Sequence, residues 1–191
     1  MSHRVVILGA GSIGERHKKA FTGLVGADNV IHFPAGIRNQ ISPSVLVDKV
    51  ISELPDSVVI ATPAHLHSSF LIAFAKESFR VLVEKPICLT STEVAHLRAI
   101  RPLYEQRLQV GYNLHYRPEY TFLEESLPKI GRILWAEFRC GQSLTQWRTG
   151  RDLKSTVSLN KSWGGGVLTE LSHELDMIIS LLGNPEVRYS S

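Results

Sequence analysis

The stretch Gly9-Ala10-Gly11-Ser12-Ile13-Gly14 comes directly after the apolar run Val5–Leu8 and opens a segment of helical character, Ile13–Leu24. A strand, a glycine-rich turn and a helix in that order constrain the fold more than any other feature here. A G-x-G-x-x-G turn has a mechanical role only in that setting. Gly9 permits the tight turn, Gly11 lets a pyrophosphate approach the backbone, and Gly14 allows the helix to pack closely on the strand. The helix N-terminus at Ser12 and Ile13 supplies free N–H groups and a positive dipole end for the phosphates. By itself such a motif can be a glycine-rich turn that binds nothing. Its position between strand and helix turns the reading toward a dinucleotide.

The rhythm continues along the chain: Val30–Phe33 then Val45–Glu53, Val58–Ala61 then His65–Lys76, Val81–Val83 then Thr92–Arg101, and last Leu108–Gly111. Short β-branched runs alternating with helical segments predict βαβ units, so residues 1–117 are expected to form an α/β, Rossmann-type doubly wound parallel sheet. Runs such as Val58-Val59-Ile60 are apolar without alternation, as befits strands covered on both faces. After Tyr112 the pattern changes to a helix at Pro118–Leu127, a partly alternating strand at Arg132–Arg139, and a long irregular stretch, Cys140–Trp163. A further helix, Val167–Leu182, is expected to end at Gly183-Asn184-Pro185.

The acidic residue that usually holds the adenosine ribose is expected about 20 residues after the glycine turn. Phe33-Pro34-Ala35 stand at the end of the second strand instead. Without a carboxylate to repel a 2′-phosphate, NADP is as admissible as NAD. Arg38 reads either as a partner for that phosphate or as a solvated surface charge.

Composition sets outer limits. The 191 residues carry 21 Lys+Arg against 18 Asp+Glu, a net +3 with the basic residues scattered, so nucleic acid is not demanded as a partner. An anionic dinucleotide suits such a surface as well. Met1-Ser2-His3-Arg4 runs straight into a strand, leaving no room for a signal peptide, and no apolar stretch is long enough for a membrane span. A soluble, cytoplasmic protein is expected. Cys88 and Cys140 read as reduced thiols with no disulfide.

Further elements end the later strands: Ala61-Thr62-Pro63-Ala64-His65-Leu66-His67, Val83-Glu84-Lys85-Pro86 and Val110-Gly111-Tyr112-Asn113. An open parallel sheet binds its ligand at those carboxyl ends. Together with Gly164-Gly165-Gly166 and Ser172-His173-Glu174-Leu175-Asp176, the ordered set resembles the glucose–fructose oxidoreductase / inositol dehydrogenase / rhizopine catabolism family of NAD(P)-dependent sugar oxidoreductases. Trp147-Arg148-Thr149-Gly150-Arg151-Asp152 is similar to a loop in a branch connected with surface-sugar metabolism.

The resemblance implies hydride transfer between NAD or NADP and a hydroxyl or carbonyl of a sugar-like substrate. It makes Lys85 and Asp176 the catalytic residues and places His173, Asn113 and Arg148 at the substrate. Thr62, Pro63, His67, Glu84 and Lys85 are expected beside the cofactor with the glycine turn and Arg38; neither His65 nor His67 is assigned catalysis. A lone Glu-Lys-Pro triplet is a strand-end turn with solvated charges, and only its company changes that reading. His173 and Asp176 stand three apart on one helix face with Glu170 a turn earlier, and since no third ligand is placed, no metal is expected. Ser180 stands where the family's well-studied dehydrogenases carry a His or Tyr, and serine is a poor base without an activating partner. Arg148, Arg151 and Lys154 are either ligands for an anionic sugar or ordinary loop cations.

Residues 118–191 are implied to be part of an α+β domain with a mostly antiparallel sheet, through which the chain is expected to form a homo-oligomer. Family members continue past the last helix, so this chain reads as C-terminally short. A catalytically inactive or truncated dinucleotide-binding module is therefore the alternative reading.

Overall fold

Short β-branched runs form the strands of one parallel sheet: β1 Val5–Leu8, β2 Val30–Phe33, β3 Ser57–Ile60, β4 Arg80–Val83 and β5 Leu108–Val110. Their order is β2-β1-β3-β4-β5. This computed structural model describes residues 2–34, 43–141, 143, 146 and 157–188.

Helices cover both faces, which is why the strands are apolar on both. On one face, Val6, Leu8, Val58, Ile60, Val81 and Val83 pack with Leu46 and Val50 of α2 (Pro43–Ser52), Phe70, Leu71 and Phe74 of α3 (His67–Phe74), and Tyr104 of α4 (Ser91–Tyr104). On the other, Val5, Ile7 and Val59 meet Phe21 and Val25 of α1 (Ser12–Val25). Each buried Val or Leu contributes about 1.5–3 kcal/mol relative to exposure, so the sheet core is the main source of stability.

Most helices lie within two residues of their expected bounds, and two depart further. The helix expected over Thr92–Arg101 would stop just before Pro102, a residue that cannot donate a helical hydrogen bond. The helix nevertheless runs to Tyr104, whose ring is buried and whose hydroxyl donates to the Leu71 carbonyl at 2.5 Å. The single helix expected over Val167–Leu182 is two, α6 Val167–Glu170 and α7 Ser172–Leu182, interrupted at Leu171. Between the sheet and these lies α5, Pro118–Ser126.

The strand expected at Arg132–Arg139 does not form: no partner strand lies beside it among the described residues. A lone strand leaves its N–H and C=O groups unpaired, so an alternating pattern alone cannot make one. The second sheet is accordingly absent among the described residues. No helix there is long and apolar enough to cross a membrane.

Candidate active site

The strand register builds the site. Leu8 is paired with both Phe33 and Ile60, Ile60 with Val83, and Val83 with Val110, so the strands end in one row. The ladder runs one residue further: Gly9 N–H donates to Phe33 O, Ala61 N–H to Leu8 O, Glu84 N–H to Ile60 O and Gly111 N–H to Val83 O. Residues that follow different strands in sequence are thereby set side by side at the carboxyl edge. The order reverses between β1 and β3, where an open sheet of this kind binds its ligand.

At that point the glycine turn is locked by backbone contact. Gly9 has φ +116°, and a Cβ there would lie 2.2 Å from Ala61 O; a Cβ on Gly14 would lie 1.8 Å from Gly9 O. Gly11, the N-cap of α1, has nothing within 4 Å of such a position. No side chain caps the first turn, so its N–H groups remain available to an anion. His32 Nε2 donates to the Gly9 carbonyl at 2.8 Å and holds the turn from β2.

Beside the turn lies a cleft of about 1130 Å³. Ser12 and Ile13 line it from α1, Thr62 and Pro63 from the end of β3, Glu84 and Lys85 from β4, and Gly111 and Asn113 from β5. Glu170, His173 and Glu174 line it from α6 and α7. His67, expected beside the cofactor, borders the same cleft but is buried. Its Nδ1 lies 2.8 Å from Pro86 O and its Nε2 2.8 Å from Thr62 O, which ties the ends of β3 and β4 together. Burial pulls its pKa below the ordinary value, against the two carbonyls and Glu84, which favour the charged ring.

Lys85 is held across the cleft, its Nζ donating to the Glu170 carbonyl at 2.5 Å. The interruption between α6 and α7 makes this contact possible. Glu174 N–H bonds to Leu171 O instead of to Glu170 O, and Glu170 O turns to the lysine. His173 packs edge-on against Tyr112 with ring centroids 5.7 Å apart. Burial first, and then the Lys85 charge, hold its pKa below the ordinary histidine value, so it is neutral at pH 7. Burial likewise raises the pKa of the Tyr112 hydroxyl.

Asp176 is close enough to His173 and Tyr112 for its charge to act on both, and its Oδ2 accepts a hydrogen bond from His115 Nε2 on the turn Asn113–Tyr116. Ser180 is exposed and donates to Met177 O at 3.1 Å. Arg38, Arg148, Arg151 and Lys154 lie outside the described residues. No group of three metal-ligating side chains occurs among the described residues.

Three groups at the site are missing from the sequence-based set. His17, which borders the cleft from α1, meets Glu84 at 2.7 Å; its signal is its place one turn after Gly14. His115 follows Asn113 by two residues. The Glu170 carbonyl, as a backbone group, has no sequence signal at all.

Residues 3–112 match the oxidoreductase family with an NAD-binding Rossmann fold. The chain is 28% identical to an inositol 2-dehydrogenase of Rhizobium meliloti (strain 1021) over 98% of its length and 57% of that protein's. It is 24% identical to the rhizopine catabolism protein MocA of Rhizobium meliloti over 97% of its length and 59% of that protein's. The structure resembles the WlbA (WbpB) dehydrogenase of Thermus thermophilus, solved with NAD and UDP-GlcNAcA. The TM-score is 0.67 at 20% identity, over 95% of this chain and 63% of that one. The chain thus spans less than two thirds of the length of each of these proteins.

Proposed function

This chain belongs to the oxidoreductase family with an NAD-binding Rossmann fold, and we propose that its cleft takes a nicotinamide dinucleotide and sets it against a sugar-like hydroxyl or carbonyl for hydride transfer. The observation that carries this reading is the Lys85–Glu170 contact, which places the strand-end lysine and the His173 helix around the cleft that the glycine turn opens. The residues present fit such a cofactor. The Gly11 backbone is open, the first turn of α1 is uncapped, and Thr62 Oγ1 and His173 Nδ1 are buried without hydrogen-bond partners among the described residues.

Gly11 and the N–H groups at Ser12 and Ile13 would hold the pyrophosphate, and Glu84 the ribose hydroxyls near the reacting ring. A bound nicotinamide ring would supply the acceptor or donor for the hydride exchanged with the substrate carbon. Lys85 orients the substrate hydroxyl. His173, neutral and in the same cleft, accepts the proton that the hydroxyl gives up, and returns it in the reverse direction. Asn113 borders the same space and supplies a further polar contact. Asp176, bonded to His115, positions α7 in this account and does not itself meet the substrate.

Phe33-Pro34 at the end of β2 offers no carboxylate, so NADPH and NADH are expected to bind with comparable affinity. The inositol and UDP-sugar named for the similar proteins make cyclic polyols and nucleotide sugars the first substrates to try. Exposed Leu134 and Trp135, in the segment where a strand was expected, support association with a second copy; sedimentation of the chain tests that.

The experiment is a fluorescence titration with NADH and NADPH, with Gly11→Asp as control, followed by turnover with polyols and UDP-sugars. Saturable binding that the substitution abolishes supports the reading, and no binding by the folded chain overturns it. A cofactor-binding module without turnover is the second reading, favoured by Ser180, which is exposed and bonded to Met177 O where the similar dehydrogenases are expected to carry a His or Tyr. Binding without turnover on any such substrate would select it.

A further inference from the structure

Glu84 is clamped on three sides. Its N–H donates to Ile60 O at 2.9 Å, which fixes its backbone to β3. A Cβ on Gly111 would lie 3.2 Å from its carboxyl carbon and from each carboxylate oxygen, so the group is seated against the β5 backbone. On the third side His17 Nε2 donates to Oε1 at 2.7 Å, with both side chains about one-fifth exposed. The imidazole leans in turn toward Phe21, one turn further along α1, with ring centroids 6.4 Å apart. Glu84 Oε2 has no hydrogen-bond partner among the described residues.

Each contact removes a freedom that a glutamate at a strand end would otherwise have. The backbone bond sets where the side chain starts, Gly111 allows it to lie flat, and His17 fixes which oxygen is occupied. One carboxylate oxygen is then left as an acceptor at a defined place in the cleft. A vicinal diol is the donor such an oxygen suits, because a hydrogen bond to an ionised acceptor is about twice as strong as a neutral one. Helix α1 also carries the glycine turn at its other end, so the helix that presents N–H groups to the pyrophosphate also orients the acceptor for the sugar ring beyond it.

We infer that His17 is a positioning residue for the cofactor: it acts only through Glu84, holding one carboxylate oxygen so that the other meets the ribose diol of the nicotinamide nucleotide. This rests on the dinucleotide reading above and adds a residue and a route to it.

A double-mutant cycle on NADH affinity tests the route. His17→Ala and Glu84→Ala are each expected to weaken NADH binding by about five- to tenfold. The double variant should bind no worse than the weaker single. His17→Gln, whose amide nitrogen can donate to the same oxygen, should recover most of the wild-type affinity, which a residue needed only for packing would not do. Should the His17→Ala chain fail to fold, His17→Leu replaces it in the cycle, since it keeps the contact with Phe21 and lacks the donor. Unchanged affinity in the His17 variant, or effects of the two substitutions that multiply independently, would overturn the inference and leave the cofactor reading intact. Absence of NADH binding by the wild-type chain would remove both.

Discussion

His115, on the turn after β5, donates through Nε2 to Oδ2 of Asp176 on α7, and so joins the end of the sheet to the helix that carries His173. The His115 ring also rests 4.4 Å from the centroid of Tyr120 in α5. Asp176 is thus part of a strut between three segments, with its two side chains a quarter to a third exposed. Asp176→Asn should cost no more than about 1 kcal/mol of stability, the upper end for a partly exposed pair of this kind. It should leave NADH affinity unchanged. Denaturant unfolding and the same fluorescence titration check this; a collapse of turnover at unchanged stability would return Asp176 to the substrate.

The glycine turn separates folding from binding within a few residues. Gly14→Ala puts a methyl group 1.8 Å from Gly9 O, and the backbone there cannot yield without lifting α1 from the sheet. A loss of about 1–3 kcal/mol is expected, with binding lost as well. Gly11→Ala meets no atom within 4 Å. Its thermal transition should match the wild type while NADH affinity falls, because the methyl group occupies the approach of the pyrophosphate. Equal melting temperatures for the two variants would contradict this division.

How much of this was legible in the sequence follows from whether the deciding contact was local. Val5–Leu8 is a strand over the predicted residues because an unbroken apolar run has one stable place, inside a parallel sheet covered on both faces. Gly9, Glu84 and Gly111 could be read as neighbours because each directly follows a strand. The helix α4 runs past Arg101 because burial of Tyr104 outweighs the local effect of Pro102. The break at Leu171 was invisible because the group bonded to Glu170 O is Lys85, 85 positions away. Spacing put His173 and Asp176 on one helix face, as found, but a face spans about 100° and here borders both the cleft and the turn at His115. Periodicity cannot divide such a face.

Phe74 is fully buried, stacked on Phe70 at 6.0 Å and edge-on to Phe79 at 5.2 Å between ring centroids. It lies in the core beneath β3 and β4, whose ends carry Thr62, Glu84 and Lys85. Phe74→Ala should cost about 3–5 kcal/mol, from lost transfer energy and the cavity left among rings that cannot close over it. Urea unfolding measures it. A loss below about 1 kcal/mol would mean that the α3 face is not packed as described.

The charge state of His173 is set by its surroundings in a way that a single substitution can reverse in part. Burial disfavours the imidazolium, and the ammonium of Lys85 disfavours it further, while Glu174, Glu84 and Asp176 oppose both. The folded pKa is therefore below the unfolded one. The stability this contributes is present above the unfolded value of about 6.5 and is lost as the pH falls through the folded pKa. Lys85→Met removes one of the two lowering causes and leaves the three carboxylates, so the His173 midpoint should move upward in an NMR titration of the ring resonances. In the wild type, turnover in the oxidative direction should hold as the pH is lowered through 6.5 and decline only when the depressed His173 value is reached, because the neutral ring is the form that accepts a proton. A midpoint unmoved by Lys85→Met would show that the lysine and the histidine do not share the cleft, and would remove the proton acceptor from the proposed reaction.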